Sequence, residues 1–137
     1  MNEKLMELVA TLKPKSKGVS LQVIRQIEEK LGVHFPEDYV EVMLISDGYS
    51  GFVGKSSYLV IWPIEELEPY NEEIGMRKYA PGMLGFADNG SGSWYAFDTR
   101  ASKMIIVDIP MIGGGLDDTI ICGSTFTEFL EYLYNYQ

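Results

Sequence analysis

Five aspartates at predicted strand ends and in the loop that follows them are the residues of this sequence that could hold a metal ion. Asp88, Asp98 and Asp108 each end a segment of strand composition, and Asp117 and Asp118 follow in a loop. Carboxylates gathered at one sheet edge could bind a divalent cation and support hydrolysis. Because neighbouring antiparallel strands run in opposite directions, Asp98 is predicted to lie away from Asp88 and Asp108. The pattern is therefore more typical of hairpin turns and an acidic rim than of a metal-dependent hydrolase.

Other residue types that serve catalysis or cofactor binding are sparse. His34 is the single histidine and stands beside Phe35-Pro36, while Cys122 is the single cysteine and stands in an apolar run. The sequence thus offers no pattern for Ser/His or Cys/His catalysis and no Cys/His cluster of metal-binding spacing. The glycines of residues 90–92 and 113–115 lack the flanking residues of a dinucleotide or phosphate loop and are predicted to be turns. We expect a protein that is not an enzyme and uses no cofactor.

Aromatic residues near predicted turns indicate a different function, the binding of another protein. Tyrosine and tryptophan anchor protein interfaces because they bury large areas with few rotatable bonds and keep a polar tip. We hypothesise a partner-binding face in which aromatic residues are ringed by acidic and polar ones: Tyr49, Trp94 and Tyr95 with Asp47, Asp88, Asn89 and Asp98. Substitutions on this face are predicted to lower the affinity for the partner.

The charge balance restricts the kind of partner. The chain has 20 acidic and 11 basic residues, a formal net charge of -9. Phosphate backbones and anionic membranes repel so acidic a protein, whereas basic proteins attract it. The single cysteine fits a reducing compartment, and the first residues lack the basic and apolar regions of a secretory signal. We therefore expect a cytoplasmic protein with a basic protein partner, no nucleic-acid or membrane partner, and either a monomeric or a homodimeric state.

Helical periodicity dominates the first third and the end of the chain. A first helix is predicted within residues 3–12, followed by a solvated basic loop at 13–18. A helix hairpin follows, with its first helix capped at Ser20 and ended by Gly32, and its second running from Pro36 to Gly48. Another helix is predicted over 126–136. The first helix of the hairpin has an apolar stripe of Leu21, Ile24, Ile27 and Leu31.

The middle of the chain changes to the composition of strands. Residues 50–57 are predicted to be a Gly/Ser-rich connector, 64–78 short helical turns, and 109–118 a loop. Strands are predicted at Tyr58–Trp62, Leu84–Asp88, Ser93–Asp98, Lys103–Asp108 and Thr119–Cys122. The 137 residues are thus expected to form one α+β domain, in which an antiparallel meander packs against the N-terminal helices and a C-terminal helix.

Several of these segments together resemble the SUKH superfamily, the Smi/Knr-type domain. The resemblance begins in an amphipathic helix that ends in Ile27-Glu28-Glu29-Lys30-Leu31-Gly32, followed by Phe35-Pro36-Glu37-Asp38-Tyr39 and Asp47-Gly48. It continues through Trp62-Pro63, the hairpin from Phe86 to Asp98 and the helix from Phe126 to Leu133. The family usually has Leu-Pro and Asn-Gly where this chain has Phe35-Pro36 and Asp47-Gly48. The matching residues have structural explanations as caps, turns and core, and none is carried over as a functional residue.

The resemblance implies a function that composition alone does not specify. Bacterial relatives are typically immunity proteins, which bind the toxin domain of a polymorphic toxin, often a nuclease, and protect the producing cell. An acidic face suits that role because it competes for the basic groove of a nuclease. The fungal relatives are cell-wall assembly regulators, so a regulatory scaffold that binds signalling or wall-synthesis proteins is the alternative. A metal-dependent hydrolase ranks third.

Overall fold

The computed structural model describes residues 2–113 and 115–136, in which seven strands form one antiparallel sheet whose strand order follows the chain. The strands are β1 Lys13–Pro14, β2 Tyr49–Val53, β3 Ser57–Ile61, β4 Met83–Asp88, β5 Ser93–Asp98, β6 Ile105–Pro110 and β7 Ile120–Gly123. The α-helices of the described residues are α1 Glu3–Val9, α2 Leu21–Leu31, α3 Glu37–Ile45, α4 Leu67–Ile74, α5 Met76–Tyr79 and α6 Phe126–Asn135. Short 3-10 helices cover Ile64–Glu66 and Leu116–Asp118. The predicted α+β meander is confirmed.

Local capping explains where the predicted helices begin and end. The Ser20 hydroxyl accepts a hydrogen bond from the amide of Val23 at 3.2 Å, and α2 ends where Gly32 adopts a left-handed φ of 70°. The Thr125 hydroxyl accepts a hydrogen bond from the amide of Glu128 at 3.0 Å and thereby caps the start of α6. In the part of the chain that the structure describes, no helix has both the length and the apolar character needed to cross a bilayer.

Residues 50–57 form part of a hairpin, so the prediction of a connector there is wrong. Strand β2 pairs along its whole length with β3, from Tyr49 opposite Ile61 to Val53 opposite Ser57. Glycine and serine are poor strand formers, and cross-strand pairing here overrides that local preference. The segment 13–14 adds a short strand against β2, and β6 extends to Pro110, into the segment predicted as a loop. Gly114, in the predicted glycine turn, lies outside the described residues.

The main core lies between one face of the sheet and the helices α1, α2, α3 and α6. Its centre is a cluster of aromatic rings that are fully buried: Tyr39, Phe86, Phe97, Phe126 and Phe129. The rings of Phe86 and Phe97 stack with centroids 4.2 Å apart, and Tyr39 meets Phe97 edge-on at 5.1 Å. Each ring contributes about 1.5–3 kcal/mol of hydrophobic stabilisation, so this cluster holds the helices on the sheet.

A second, smaller core covers the opposite face of the sheet. Met76 and Ala80, from α5 and its end, pack with Ala96, Val107 and Ile109 of the central strands. Strands β5 and β6 are therefore covered on both faces, which explains why residues 95–98 are all buried instead of alternating.

Asp38 joins the N-terminal ends of α3 and α6. Its carboxylate accepts hydrogen bonds from the amides of Phe126 at 3.2 Å and Thr127 at 2.7 Å, and from the Thr127 hydroxyl at 2.8 Å. It also accepts the amide of Tyr39 at 3.0 Å. A negative charge at the positive end of a helix dipole is favourable, so Asp38 fixes two helices that are 88 residues apart in sequence.

The basic segment 13–18 has exposed side chains, as predicted, but its backbone is held in place. The Ser46 hydroxyl accepts the amides of Lys15 and Ser16 at 3.0 and 3.2 Å, and donates to the carbonyl of Gly48 at 2.8 Å. The carbonyl of Lys17 accepts the amide of Asp47 at 3.0 Å. The segment therefore packs along the end of α3 rather than forming a free linker.

Replacing Tyr39 by phenylalanine is expected to stabilise the protein. The Tyr39 hydroxyl is fully buried and, among the described residues, is the buried side-chain polar atom without a hydrogen-bond partner. An unpaired buried hydroxyl costs about 1–3 kcal/mol, so its removal should raise the free energy of unfolding by about 1 kcal/mol in urea denaturation. Tyr49→Phe is the matched control of opposite sign, because the Tyr49 hydroxyl donates to the carbonyl of Val42 at 2.8 Å. Equal destabilisation by both changes would contradict the assignment.

Candidate partner-binding surface

The seven residues predicted to form a partner-binding face do not share one face. Trp94 pairs with Asp88, and Tyr95 pairs with Ala87 and Asp108. Successive side chains of a strand point to opposite faces, so Trp94 lies against Tyr79 on the α5 side while Tyr95 lies against Phe129 of α6. Asp98 lies at the other end of β5, opposite Met83. The prediction that these residues form one ring is wrong, because the alternation of the strand separates them.

Three of the predicted residues are buried by the fold. Tyr49 is 2% exposed and Tyr95 is 5% exposed, so both rings belong to the main core. Asp98 is 8% exposed and binds the Arg100 guanidinium through both carboxylate oxygens, at 2.9 and 2.8 Å. That hydrogen-bonded pair holds the pKa of Asp98 below its usual value. A direct contact with a partner would therefore have to come from those of the seven predicted residues that are accessible to solvent.

The remaining polar members of the set organise turns. Asp88 accepts the indole N–H of Trp62 and the amide of Gly90, each at 2.8 Å. Asn89 Oδ1 accepts hydrogen bonds from the backbone amides of residues 91–93, each at 3.0 Å. Asp47 accepts the amide of Ile64 at 2.8 Å. These contacts agree with hairpin-end and cap roles, and they leave Asn89 partly exposed beside a cavity.

Asp98 is separated from Asp88 and Asp108, as the opposite strand directions predict, and Asp88 is separated from Asp108 by the sheet itself. Asp98 lies at the far end of β5, and Asp88 and Asp108 lie on opposite faces because they pair with the neighbours Trp94 and Tyr95. Asp108 is inside β6 rather than at a strand end. Within residues 2–113 and 115–136, no group of three or more His, Cys, Asp or Glu side chains is placed to hold a metal ion.

The single histidine and the single cysteine lie where the sequence predicts. His34 is exposed, with Nε2 lying 3.4 Å from a Glu37 carboxylate oxygen. Cys122 is buried, and the loss of solvation raises the pKa of its thiol to about 12, so the reactive thiolate is disfavoured.

A polar cavity of about 320 Å³ opens where the last turn of α6 passes the β3, β5 and β6 strands. We call it the tyrosine cavity, after the residues that give it its character: Tyr58, Tyr95, Tyr132, Tyr136 and Asp108. The Ser57 hydroxyl fixes its mouth, because it lies 2.7 Å from the carbonyl of Leu133 and 2.9 Å from that of Tyr136. Strand β3 is thereby tied to the end of α6, and the cavity is built from the scaffold itself.

The carboxylate of Asp108 is the charged group of the tyrosine cavity. Burial raises its pKa, and a hydrogen bond from the Ser93 side chain partly opposes that change. Burial is the main cause of a raised pKa at the Tyr95 hydroxyl, and the negative charge of nearby Asp108 raises that pKa further. The described lining residues include no lysine, arginine or histidine. Among the described lining residues, a partly desolvated carboxylate therefore lies beside phenol rings and no cationic side chain.

Exposed apolar side chains line part of the opening, and two ring pairs include lining residues. Phe52 and Tyr58 meet edge-on at 5.1 Å, and Tyr132 and Tyr136 stack at 5.8 Å. We define the cavity rim as the aromatic and aliphatic lining residues that are more than a third exposed: Tyr58, Ile120 and Tyr136. Hydrophobic groups gathered beside a polar centre are typical of protein interfaces.

The two edges of the sheet differ in how they are protected. Strand β1 carries Lys13 and Pro14, and both residue types discourage another strand from pairing. Strand β7 presents Ile120 at 56% exposure and Ile121 at 65%. The β7 edge, which includes Ile120 of the cavity rim, is therefore the edge with exposed apolar side chains.

Sequence reasoning missed most of this surface. Tyr132 and Tyr136 stand four residues apart at the end of the last predicted helix, which was the available signal that they share a side of α6. The sequence pattern indicates Asp108 only as a strand-end candidate for a metal ligand. Its place beside Tyr95 depends on the β5–β6 register, which no local pattern specifies.

A helix hairpin followed by an antiparallel meander and a closing helix defines the class of α+β domain predicted from the resemblance. The family model described as the SMI1 / KNR4 family (SUKH-1) matches residues 18–132. The chain therefore belongs to the SMI1/KNR4 family. Membership of this family is compatible with an immunity or a regulatory role, and proteins of the family are generally non-enzymatic.

The chain is also similar to the Bacillus subtilis (strain 168) protein named "Uncharacterized protein YnaB". The two are 36% identical over 86 residues, which cover 61% of this chain and 53% of that protein. The match thus spans about half the length of the relative.

Proposed function

We propose that this protein is a cytoplasmic immunity protein that binds a cognate toxin and neutralises it without catalysing a reaction. The observation that carries the proposal is the cavity rim, where exposed aromatic and aliphatic side chains line the same cavity as a carboxylate that no cation among the described lining residues balances. Membership of the SMI1/KNR4 family supports it, since immunity proteins are typical of the bacterial relatives. The net charge of -9 favours a basic partner, as a nuclease-type toxin would be.

Inhibition would be steric and electrostatic. An acidic protein attracts a basic toxin over distances of about a Debye length, roughly 8–10 Å at physiological salt, and speeds the encounter. The apolar rim then excludes water from the contact, and the bound domain blocks the groove in which the toxin holds its substrate. Neither step requires a metal, a cofactor or turnover.

Capture from the native organism at increasing salt tests this function. The purified domain serves as bait, each protein that elutes is expressed alone, and its toxicity is measured with and without the bait. We expect a basic protein that is toxic alone and harmless when the bait is co-expressed. Recovery of signalling or wall-synthesis proteins would instead indicate a regulatory scaffold, and no rescue of a toxic partner would overturn the proposal.

Replacing Tyr136 by alanine is expected to weaken capture of that partner at least tenfold. The side chain is 69% exposed on the cavity rim, and an aromatic interface anchor contributes about 2 kcal/mol or more. Leu21→Ala is the matched control, because Leu21 is 47% exposed at the start of α2, away from the rim. Dissociation constants measured by calorimetry should separate the two variants. Equal losses would contradict a partner face at the rim.

A further inference from the structure

We propose that the tyrosine cavity is a receptor for one cationic side chain, preferentially an arginine, that the partner protein inserts beside Asp108 and the stacked rings of Tyr132 and Tyr136. This inference rests on the proposed function and specifies what the surface recognises. It assigns the ligand by chemistry: a guanidinium group carried on a flexible apolar stem.

The charge of the lining excludes anions and favours a cation. Among the described lining residues Asp108 is the acidic one, and the neutral side chain of Ser93 donates a hydrogen bond to it. A carboxylate taken partly out of water without a counter-ion is costly, and a guanidinium placed beside it would offset that cost through charge-assisted hydrogen bonds.

The aromatic lining favours the same ligand. Tyr132 and Tyr136 are stacked with an interplanar angle of 21°, and Tyr58 of β3 also lines the cavity. Cations bind to the faces of aromatic rings, and the planar guanidinium also stacks on them, whereas the ammonium of lysine is more strongly hydrated. Arginine is therefore preferred over lysine.

The size and polar groups of the cavity fit one side chain. A volume of about 320 Å³ lies at the lower limit of ligand pockets, which run from roughly 300 to 1,000 Å³ and hold larger molecules at the upper end. Guanidinium has five N–H donors and no acceptor. The hydroxyl groups of Ser91, Ser93 and the tyrosines supply oxygen acceptors around the carboxylate.

The test titrates the folded protein with Nα-acetyl-arginine amide and follows its backbone amides by NMR. We expect saturable shifts confined to the cavity lining, and much smaller shifts with Nα-acetyl-citrulline amide, which has nearly the same shape and no charge. Asp108→Asn should weaken arginine binding at least tenfold. Asp118→Asn removes the same charge from an exposed residue outside the lining and should change the affinity less than twofold.

Tyr136→Leu provides a second variant in case Asp108→Asn disturbs the fold. It keeps an apolar group at an exposed position but removes the ring, and it should weaken arginine binding about threefold or more. Shifts that do not saturate, equal binding of the arginine and citrulline amides, or equal effects of Asp108→Asn and Asp118→Asn would each overturn the assignment.

A second arm identifies the source of the cation. If the partner supplies it, Asp108→Asn should weaken capture of the toxic partner at least tenfold, and the arginine amide should compete with capture. Arginine binding combined with unchanged capture would show a site for a free cationic metabolite and overturn the partner assignment. Arginine binding without any toxic partner would sustain the site's ligand chemistry while the proposed immunity function failed.

Discussion

Replacing Gly18 by alanine is expected to destabilise the protein by about 3 kcal/mol or more, the largest effect we predict for a single methyl group. A Cβ atom at Gly18 would lie 1.7 Å from the carbonyl oxygen of Leu44 and 2.4 Å from its carbonyl carbon. Both atoms belong to the backbone of α3, so no side-chain rotation relieves the overlap. The segment would have to separate from α3 and lose the bond from the amide of Val19 to the carbonyl of Met43.

Urea denaturation of Gly18→Ala and Gly92→Ala measures this effect. Gly92 also lies in a loop, but a Cβ atom there would meet nothing within 4 Å, so the control should change the free energy of unfolding by less than about 0.5 kcal/mol. If Gly18→Ala unfolded at the same urea concentration as the control, segment 13–18 would be the solvated linker that its composition predicts.

Replacing Asp38 by alanine is expected to lower the free energy of unfolding by about 2–3 kcal/mol. The carboxylate accepts hydrogen bonds from Tyr39, Phe126 and Thr127, and hydrogen bonds to a charged group contribute about 1.5–3 kcal/mol. Removing the carboxylate leaves the amides at the start of α6 without a hydrogen-bond acceptor. Asp38→Asn should have a smaller effect, because the amide oxygen can still accept one of these bonds.

Glu37→Ala is the matched control for Asp38→Ala. Glu37 is the adjacent acidic residue in the first turn of α3, its side chain is 59% exposed, and it pairs with Arg25 at 3.2 Å on the surface. Exposed ion pairs contribute at most about 1 kcal/mol. Comparable losses for the two variants in thermal or urea denaturation would show that helix-dipole charge, rather than the contact with α6, is what Asp38 provides.

Periodicity and capping residues were sufficient to predict the helices. The predicted helix between Ser20 and Gly32 is observed as Leu21–Leu31, and the predicted helix over 126–136 as Phe126–Asn135. In both, the apolar spacing repeats with the helical period, and a hydroxyl cap marks the first residue. These signals are local, so tertiary packing changes only their last residue.

The strands were harder to predict because their limits depend on pairing. Lys103–Asp108 was predicted where the structure has Ile105–Pro110, and the shift follows from the pairing of Ser93 with Pro110 and Asp98 with Ile105. Strand β2 has no local signal at Ser50 or Gly51 and forms because β3 lies beside it.

The candidate site was the least predictable feature. Asn89 and Tyr95 were selected from the sequence and do line the tyrosine cavity, but Asp108 and Tyr136 come from segments considered separately. Their meeting depends on strand register and on how α6 packs against the sheet, and neither is encoded by residue spacing within one element.

The sequential order of the strands has a consequence for folding kinetics. From β2 to β6 each strand pairs with the next strand along the chain. Apart from the β3–β4 connection, which contains α4 and α5, these pairings need only short loop closures, which are fast. Helix α6 differs, since its start is fixed by Asp38 and its end by Ser57, both far back in sequence. Its docking is the step with the largest loop to close. The tyrosine cavity, which needs both the sheet and the docked end of α6, is therefore among the last features to form, so the proposed recognition of a partner would be coupled to completion of folding.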